Sequence, residues 1–355
     1  MRSSFVPRGL RGGYCASVKH AIAIAPLLLS PLAFSIGLAP SQALACACGC
    51  GIFDAGPTAL MPAMSDSGYS VWFRYSYMNQ DQNWEHSSKA PASDNGDQHI
   101  ETNFYTVGGQ DMINRNWTIM AELPIFNRQL TTTDDSNGSV TGNPNSVYNA
   151  KLTDLGDAKI SAVYTGFSPD MSTGVSFGVK LPTGNFSGPN GAAGGPEFDR
   201  DSLPGTGSTD LMIGGYHTGG LNADGALSYY VQATYQFAVL TQEQYRPGNE
   251  LDGATGLIYD FGSFGRITDV SPVLSLLASI RGHDDFENAD PLNSGYQRLM
   301  IAPGIEMGFD KVRFYADIEI PLYQYTNAAS SVAVEGTSGQ LVAPFAVKAQ
   351  IAYDF

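Results

Sequence analysis

Cysteine is absent from this chain beyond residue 50. Of its four cysteines, Cys15 lies early and the other three form the run CACGCG at residues 46–51. The roughly three hundred residues that follow therefore have no disulfide framework. Long apolar runs are also missing after residue 45, where no stretch approaches the roughly 20 apolar residues that a membrane-spanning helix needs. Any further membrane crossing would have to use strands.

Basic residues are scarce as well. The chain has 19 Lys and Arg residues against 34 Asp and Glu, which gives a formal net charge of -15. This balance argues against nucleic acid as a partner, because a phosphate backbone is bound by surplus positive charge. The acidic surplus is compatible with a surface that meets cations, although soluble acidic loops are the commoner explanation.

The first forty-five residues have the layout of a secretory signal. Basic residues at Arg2, Arg8, Arg11 and Lys19 precede the apolar run AIAIAPLLLSPLAFSIGLA, and small residues follow up to Ala45. A membrane-spanning helix is the alternative, but Pro26 and Pro31 interrupt the run and an A-x-A site closes it. We therefore predict that residues 1–45 are a cleaved signal peptide and that the mature chain begins at Cys46.

From Tyr69 onward the sequence repeats segments of about ten residues that alternate apolar with polar or small residues, which is typical of strands with two different faces. In YSVWFRYSYM, one face carries Tyr69, Val71, Phe73, Tyr75 and Tyr77, and the other carries Ser70, Trp72, Arg74 and Ser76. Twelve such segments are centred near residues 73, 104, 120, 161, 178, 213, 231, 258, 277, 303, 317 and 349. Short turns and long polar loops alternate between them.

This alternation predicts an all-β fold, a transmembrane antiparallel β-barrel of about twelve strands over residues 69–355, with periplasmic turns and extracellular loops. A soluble β-sandwich or β-solenoid is the alternative, but neither needs the aromatic residues, such as Trp117 and Tyr353, that stand near segment ends. The chain ends on Phe355, which resembles the signal that outer-membrane barrels present to the barrel-assembly machinery. The expected partners are that machinery, outer-membrane lipid and a small solute.

Three Gly-containing stretches carry a family resemblance. They are Gly156-Asp157-Ala158-Lys159-Ile160, Gly178-Val179-Lys180-Leu181-Pro182-Thr183-Gly184 and Gly205-Thr206-Gly207-Ser208-Thr209-Asp210. In this order they resemble the outer-membrane barrels grouped as transporters of the meta-pathway of phenol degradation, over most of residues 69–355. The resemblance implies a porin-like channel or a transporter of small hydrophobic molecules in the outer membrane of Gram-negative bacteria.

Charged residues within the strands should point into the barrel, because a Lys or Arg facing lipid costs roughly 2–4 kcal/mol at the bilayer midplane. Seven such residues are predicted to form a belt of mixed charge in the extracellular half: Glu122, Asp157, Lys159, Lys180, Asp210, Arg298 and Glu319. They could pair with one another and fill the interior, or they could line a polar constriction that selects solutes. We expect pairing together with partial selection.

A catalytic role is not expected. The stretch Gly174-Val175-Ser176-Phe177-Gly178 matches G-x-S-x-G, but that motif works at a sharp strand-to-helix turn and here it lies within an alternating strand. The histidines after the leader are His86, His99, His217 and His283. None of them falls in a recognisable pairing with a serine and a carboxylate.

The cysteines Cys46, Cys48 and Cys50 form a candidate metal site. Alternate residues of an extended chain point to opposite sides, so local disulfides are disfavoured, but the Ala and Gly spacers let thiolates surround one soft ion such as Cu(I) or Zn(II). Lipidation of Cys46 and thiol redox chemistry are alternatives. Residues 46–68 could also enter the barrel as a plug.

Two functional hypotheses follow from these features. The first is a passive outer-membrane channel or transporter for small solutes, with the N-terminal segment sampling the lumen. The second is a metal-handling surface protein in which the barrel anchors the thiolates and conducts little.

Overall fold

The computed structural model describes residues 55–57, 68–134, 141–186, 198, 200–287, 289, 291–328 and 339–355. Its strands are β1 (Gly68–Gln80), β2 (Gln82–Glu85), β3 (Ser88–Lys89), β4 (Asp97–Asn114), β5 (Trp117–Thr133), β6 (Val147–Leu155), β7 (Ala158–Tyr164), β8 (Thr173–Leu181), β9 (Thr209–Gly220), β10 (Leu227–Leu240), β11 (Glu250–Tyr259), β12 (Asp269–Arg281), β13 (Tyr296–Phe309), β14 (Val312–Thr326), β15 (Gln340–Val342) and β16 (Ala346–Asp354). Two short 3-10 helices span Ala92–Asp94 and Arg200–Ser202.

Twelve of the strands in the described part of the chain close into one antiparallel barrel. The order around the barrel is β1-β4-β5-β7-β8-β9-β10-β11-β12-β13-β14-β16, and β16 pairs back with β1. Closure leaves these strands without free edges, which removes the main hazard of a large antiparallel sheet. The predicted twelve-stranded barrel is confirmed, and each predicted segment centre falls within one of these strands.

The connections differ at the two ends of the barrel. At one end, here called the short-turn end, β4 joins β5 through Arg115 and Asn116, and β13 joins β14 through Asp310 and Lys311. At the opposite, long-loop end, the sequence pattern predicts one long polar loop from Asn127 to Gly156, and this prediction is partly wrong. Strand β5 continues to Thr133, and β6 returns along it with Ile125 opposite Leu155 and Thr133 opposite Val147. Strands β2, β3 and β15 form a small second sheet at this end.

The two faces of each strand have different surroundings, as the alternation predicted. On β1 the side chains of Tyr69, Val71 and Phe73 are exposed, whereas Trp72 and Arg74 are buried in the interior. Exposed apolar side chains cover the outer surface, as expected where a barrel faces hydrocarbon.

Aromatic rings gather on this surface at the short-turn end. Trp117 and Tyr164 have ring centroids 4.9 Å apart, and Tyr353 and Phe355 are also 4.9 Å apart. This is the position of an interfacial aromatic girdle.

Pro303 lies within β13, opposite Leu274 of β12. Sequence reasoning expects a bulge or a strand boundary here, because proline cannot donate a ladder hydrogen bond. The strand is continuous, but its register with β14 shifts between Leu299 and Met300. The proline is therefore accommodated beside an irregular stretch of the β13–β14 ladder.

Candidate functional site in the barrel interior

Four of the charged residues predicted to face inward lie in one row across four neighbouring strands. Glu122 of β5 pairs with Lys159 of β7, Lys159 pairs with Lys180 of β8, and Lys180 pairs with Asp210 of β9. Residues directly opposite in a ladder project from the same face at the same level. The row therefore presents its charges in the order negative, positive, positive, negative.

Lys180 is surrounded by hydrogen-bonding and charged partners. Its ammonium lies 3.2 Å from Asp157 and 3.0 Å from Asp210, and it also donates to the hydroxyls of Thr206 and Ser208. All three charged side chains are buried. Burial of charge is tolerated when each ion is paired and hydrogen-bonded, which is the case for this triad.

Asp157 reaches Lys180 from a break in a strand. Residues Gly156 and Asp157 separate β6 from β7, although both strands pair with β5. The Asp157 carboxylate accepts hydrogen bonds from the backbone N–H of Gly184 at 3.1 Å and of Thr206 at 2.9 Å. One carboxylate thus joins the two ends of the β8–β9 loop.

The glycines at this junction permit a close approach of three backbone segments. A Cβ atom on Gly184 would lie 2.7 Å from the Cα of Gly205 and 2.7 Å from the carbonyl carbon of Gly156. Only glycine fits such contacts with backbone. The three stretches that carry the family resemblance therefore meet at one place around Lys180, which we call the glycine junction.

Arg200 covers the glycine junction from the long-loop end. Its guanidinium donates to Gly205 O at 3.1 Å and Thr206 O at 2.6 Å, and lies 4.5 Å from the ring centroid of Tyr245. Burial lowers the pKa of Arg200. Burial, followed by the charge of Asp284, raises the pKa of Tyr245, whose hydroxyl donates to that carboxylate at 2.7 Å. The contacts link the loops before β9, β11 and β13.

The same loop region folds over the barrel mouth. Phe198 and Leu203 are buried in an apolar cluster whose other members come from strands, namely Ile100, Leu130, Ala150 and Leu341. Arg128 of β5 donates to Ser202 O beside this cluster. The described part of the β8–β9 loop is therefore anchored to the inner wall rather than extended away from the barrel.

Two adjoining cavities lie beside the charged row. The larger has a volume of about 240 Å³ and the smaller about 70 Å³. Both are lined by Arg74, Glu122, Lys159, Gln236 and Asp252. Arg74 lies 3.6 Å from Glu122, so this carboxylate has a cation of β1 on one side and Lys159 of β7 on the other. We call these five shared residues the luminal ring.

The larger cavity also has an apolar side. Phe104 and Phe126 meet edge to face with ring centroids 4.9 Å apart, and Leu203 and Pro204 complete this side. Ligand sites commonly combine apolar walls with a few placed polar groups, and this cavity has both.

The other two residues of the predicted belt lie elsewhere on the wall. Arg298 of β13 is buried with its guanidinium 4.2 Å from the ring centroid of Tyr296. Glu319 of β14 lies 3.4 Å from Lys348, which is also 3.3 Å from Asp317. The belt is therefore not one continuous ring, because these residues belong to separate groups.

Sequence reasoning assigned no role to several interior residues. Arg74 and Lys348 have the inward parity of their strands, and that parity is the signal that could have found them. Arg128 and Gln232 are also buried. Their partners are residues far away in sequence, which strand alternation does not identify.

The enzyme and metal predictions fall on different parts of the chain. Ser176 lies inside β8, so the G-x-S-x-G match has no strand-to-helix turn around it. Within the described ranges, no group of three or more His, Cys, Asp or Glu side chains could hold a metal ion. Cys46, Cys48 and Cys50 lie outside the described residues. The absence of catalysis and the thiolate site stay predictions.

Comparison with solved structures places this fold. The COG4313 outer membrane channel from Pseudomonas putida F1 is similar over 85% of this chain and 100% of that chain, with 10% sequence identity and a TM-score of 0.58. The chain has the fold of an outer-membrane β-barrel. In the part of the chain that the structure describes, no helix is both long and apolar enough to span a membrane.

More distant similarities include two further barrels. The CymD monoaromatic hydrocarbon channel matches 82% of this chain and 89% of its own, at 9% identity and a TM-score of 0.42. The Ralstonia pickettii toluene transporter TbuX matches 86% and 93%, at 9% identity and a TM-score of 0.36. No family model and no curated protein matches the sequence.

Proposed function

We propose that this protein is a passive outer-membrane channel for small solutes, whose path passes through the luminal ring. The observation that carries this proposal is the pair of adjoining cavities inside a closed barrel, which share the five residues of that ring. A solute that moves between the two cavities would pass Arg74, Glu122 and Lys159. Charged residues at such a constriction act on the ions and polar solutes that cross it.

The charges of the ring are distributed unevenly around the barrel. Arg74 and Lys159 flank Glu122 on one wall, whereas Asp252 lies on β11, five strands further round from β5. The wall around Glu122 carries two cations for one anion, and the wall around Asp252 is acidic. A transverse field of this kind orients a dipolar solute and favours solutes with a polar end.

We propose small aromatic solutes as the class to test first. Phe104, Phe126 and Leu203 give the larger cavity an apolar side next to the charged ring. A cavity of about 150 Å³ is enough to bind benzene, so the cavity of about 240 Å³ has room for one substituted ring. The resemblance of the glycine-containing stretches to transporters of the meta-pathway of phenol degradation supports the same choice.

The proposed location is the outer membrane of a Gram-negative bacterium. The leader of residues 1–45 supports export, the apolar outer face and aromatic girdle support contact with lipid, and the terminal Phe355 supports assembly by the barrel-assembly machinery. The mature chain would then have its short turns in the periplasm and its long loops outside the cell.

Single-channel recording in a planar bilayer tests the proposal. The mature wild-type protein should give discrete conductance in KCl, and phenol added to one side should reduce it. Glu122→Gln should shift the reversal potential in a KCl gradient toward anion selectivity, and Lys159→Gln toward cation selectivity. Lys311→Gln, in an exposed turn, is the matched control and should cause neither shift. A folded wild-type protein that never conducts would overturn the proposal.

Phe126→Ala separates the aromatic part of this proposal from the channel itself. The variant loses one ring of the edge-to-face pair but keeps the charges of the luminal ring. We expect KCl conductance to persist while reduction of the current by phenol weakens. Unchanged sensitivity to phenol would remove this cavity as the solute site and leave the channel proposal standing.

A further inference from the structure

The barrel interior is packed between the smaller cavity and the short-turn end. The smaller cavity is the one nearer that end, because it reaches Met120 on β5, whereas the larger cavity reaches Phe126 and Arg128 further along the same strand. At this level the buried apolar side chains form a cluster drawn from β1, β5, β7, β9 and β16, namely Trp72, Met120, Val163, Tyr216 and Ala352. A solute that leaves the smaller cavity toward the short-turn end meets this layer.

Three polar side chains lie beside this apolar layer on neighbouring strands. Ser70 of β1 is directly opposite Gln110 of β4, and Gln110 is directly opposite Met120 of β5. Thr118 precedes Met120 by two residues on the same face, which is the diagonal position from Gln110. Opposite residues have Cβ atoms about 4.5–5.5 Å apart and diagonal ones about 7–8 Å, so these side chains share one small patch. We call Ser70, Gln110 and Thr118 the polar triplet.

The polar triplet is deeply buried. Ser70, Gln110 and Thr118 are 1%, 6% and 0% exposed. Among the residues that the structure describes, the hydroxyl oxygens of Ser70 and Thr118 and the amide nitrogen of Gln110 have no hydrogen-bond partner. Buried polar groups are nearly always bonded, because an unpaired one loses its bonds to water without gaining others. Three such groups in one patch indicate a site for the polar atoms of another molecule.

The chemistry of the polar triplet indicates which molecule it fits. Its hydroxyl and amide groups can donate to a hydroxyl oxygen, and its hydroxyl oxygens can accept the proton of that hydroxyl. The triplet carries no charge, and Asp354, which lies opposite Ser70 on β16, is paired with Arg313 at 2.9 Å. The adjoining indole of Trp72 and the neighbouring methionines favour an aromatic ring. These features together fit a neutral aromatic molecule with a hydroxyl group.

Methionine side chains allow this layer to admit a ring. Met112 is directly opposite Thr118, and Met120 is directly opposite Gln110. An unbranched thioether with three rotatable bonds repacks more easily than other apolar side chains. The Trp72 indole packs directly on the β4 backbone, because a Cβ atom at Gly108 would clash with its ring. A solute can therefore displace the methionines while the indole stays against the wall.

We propose that Ser70, Gln110 and Thr118 form a second solute site, which binds the hydroxyl of a neutral aromatic solute after it leaves the smaller cavity. This inference deepens the proposed channel function and rests on it. The luminal ring acts on charge, whereas the polar triplet selects for a hydroxyl. A solute without that group leaves the buried polar atoms unpaired and is disfavoured at this step.

Quenching of Trp72 fluorescence tests whether a solute reaches the polar triplet. The chain has three tryptophans, so Trp84→Phe and Trp117→Phe leave Trp72 as the only one. The probes are 4-iodophenol and iodobenzene, which differ only by the hydroxyl and quench tryptophan through the iodine atom. A second protein that keeps only Trp117, which is exposed on the outer face, reports the probe dissolved in the detergent micelle. The ratio of the two quenching constants measures entry into the interior.

Variants of the polar triplet then test its preference for a hydroxyl. With the triplet intact, this ratio should be larger for 4-iodophenol than for iodobenzene by about fivefold, which corresponds to one net hydrogen bond. The double change Gln110→Leu and Thr118→Val should make the two probes equal. Thr165→Val is the matched control, because Thr165 is also 0% exposed but its hydroxyl donates to Arg115 O at 2.6 Å. It should leave the preference unchanged.

Urea unfolding of the same variants separates a solute site from a structural role. Thr118→Val should not lower the unfolding midpoint, because no hydrogen bond of the folded chain is lost. Thr165→Val should lower it, because the bond to Arg115 O is removed. Equal losses for the two variants would show that the Thr118 hydroxyl is bonded within the folded protein and would overturn the proposal.

The outcomes also separate this inference from the channel proposal. Equal quenching of Trp72 by both probes, or a hydroxyl preference that survives the double change, would overturn the second site. The channel proposal would still stand if the wild type conducts KCl. A hydroxyl preference in a protein that never conducts would support the binding site and refute the channel. Failure of either probe to reach Trp72 would overturn the second site whatever the conductance.

Discussion

Replacement of Lys180 by Met tests whether the glycine junction depends on the buried charge triad. The change keeps most of the side-chain volume but leaves Asp157 and Asp210 buried without the ammonium that lies 3.2 Å and 3.0 Å from them. Removal of one partner from a buried ion pair costs about 3–5 kcal/mol. With a urea m-value of about 2 kcal/mol/M, the unfolding midpoint should fall by about 1.5–2.5 M.

The assay is urea titration of the barrel in lipid vesicles, followed by tryptophan fluorescence and gel mobility. Lys311→Met is the control, because this exposed turn lysine should change the free energy of unfolding by less than about 0.5 kcal/mol. Adding Asp157→Asn and Asp210→Asn to Lys180→Met should recover much of the loss, since no uncompensated charge then remains buried. Equal midpoints for Lys180→Met and Lys311→Met would refute this reasoning.

Four other predictions address separate parts of the chain. Gly184→Val should lower the free energy of unfolding by about 1–3 kcal/mol, because its Cβ would meet backbone at 2.7 Å; thermal unfolding measures this. Because the pKa of Tyr245 is raised in the folded protein, this residue contributes stability that is fully present below pH 10 and is lost as the pH rises through the folded pKa. Tyr245→Phe should therefore reduce the fall of the urea unfolding midpoint at alkaline pH. Phe355→Ser should lower the fraction of folded barrel in cells, where the barrel-assembly machinery acts. It should not lower the fraction that refolds in detergent, because a ring that is 62% exposed packs against little of the folded barrel. Heat-modifiable gel mobility measures the folded fraction in both cases. The mature protein should bind about one Cu(I) or Zn(II), and a variant with Cys46, Cys48 and Cys50 changed to Ser should bind none by equilibrium dialysis.

The barrel could be predicted from sequence because each strand separates an apolar face from a polar one. The alternation YSVWFRYSYM places Tyr69 outside and Trp72 inside, and the structure has both in those places. Strand β6 shows where the signal ends. It pairs with residues 125–133 of β5, whereas β7 pairs with residues 117–122, and the sequence pattern predicts a loop in this region. Its position depends on the length of β5, which is set by distant contacts rather than by local alternation.

The inward direction of the charges follows from the cost of exposing them to hydrocarbon, so strand parity is enough to predict it. Their partners require the stagger between strands, which alternation does not give. Lys180 meets Asp157 because a strand breaks at Gly156, and Arg200 reaches the same place from a loop. The sequence raises the possibility that residues 46–68 enter the barrel, but it does not identify the contact of Ala55 with Lys348, which are 293 residues apart.

The glycine junction also explains why the resemblance carries more information about fold than about solute. Gly184 is required by the close approach of backbone, and the polar atoms of Lys180 and Asp157 are already bonded to one another and to neighbouring loops. These requirements hold whatever passes through the lumen. The apolar side of the larger cavity comes instead from Phe104 and Phe126, which lie outside the three glycine-containing stretches. Barrels that share the junction but differ at these two positions should therefore fold alike and transport different solutes.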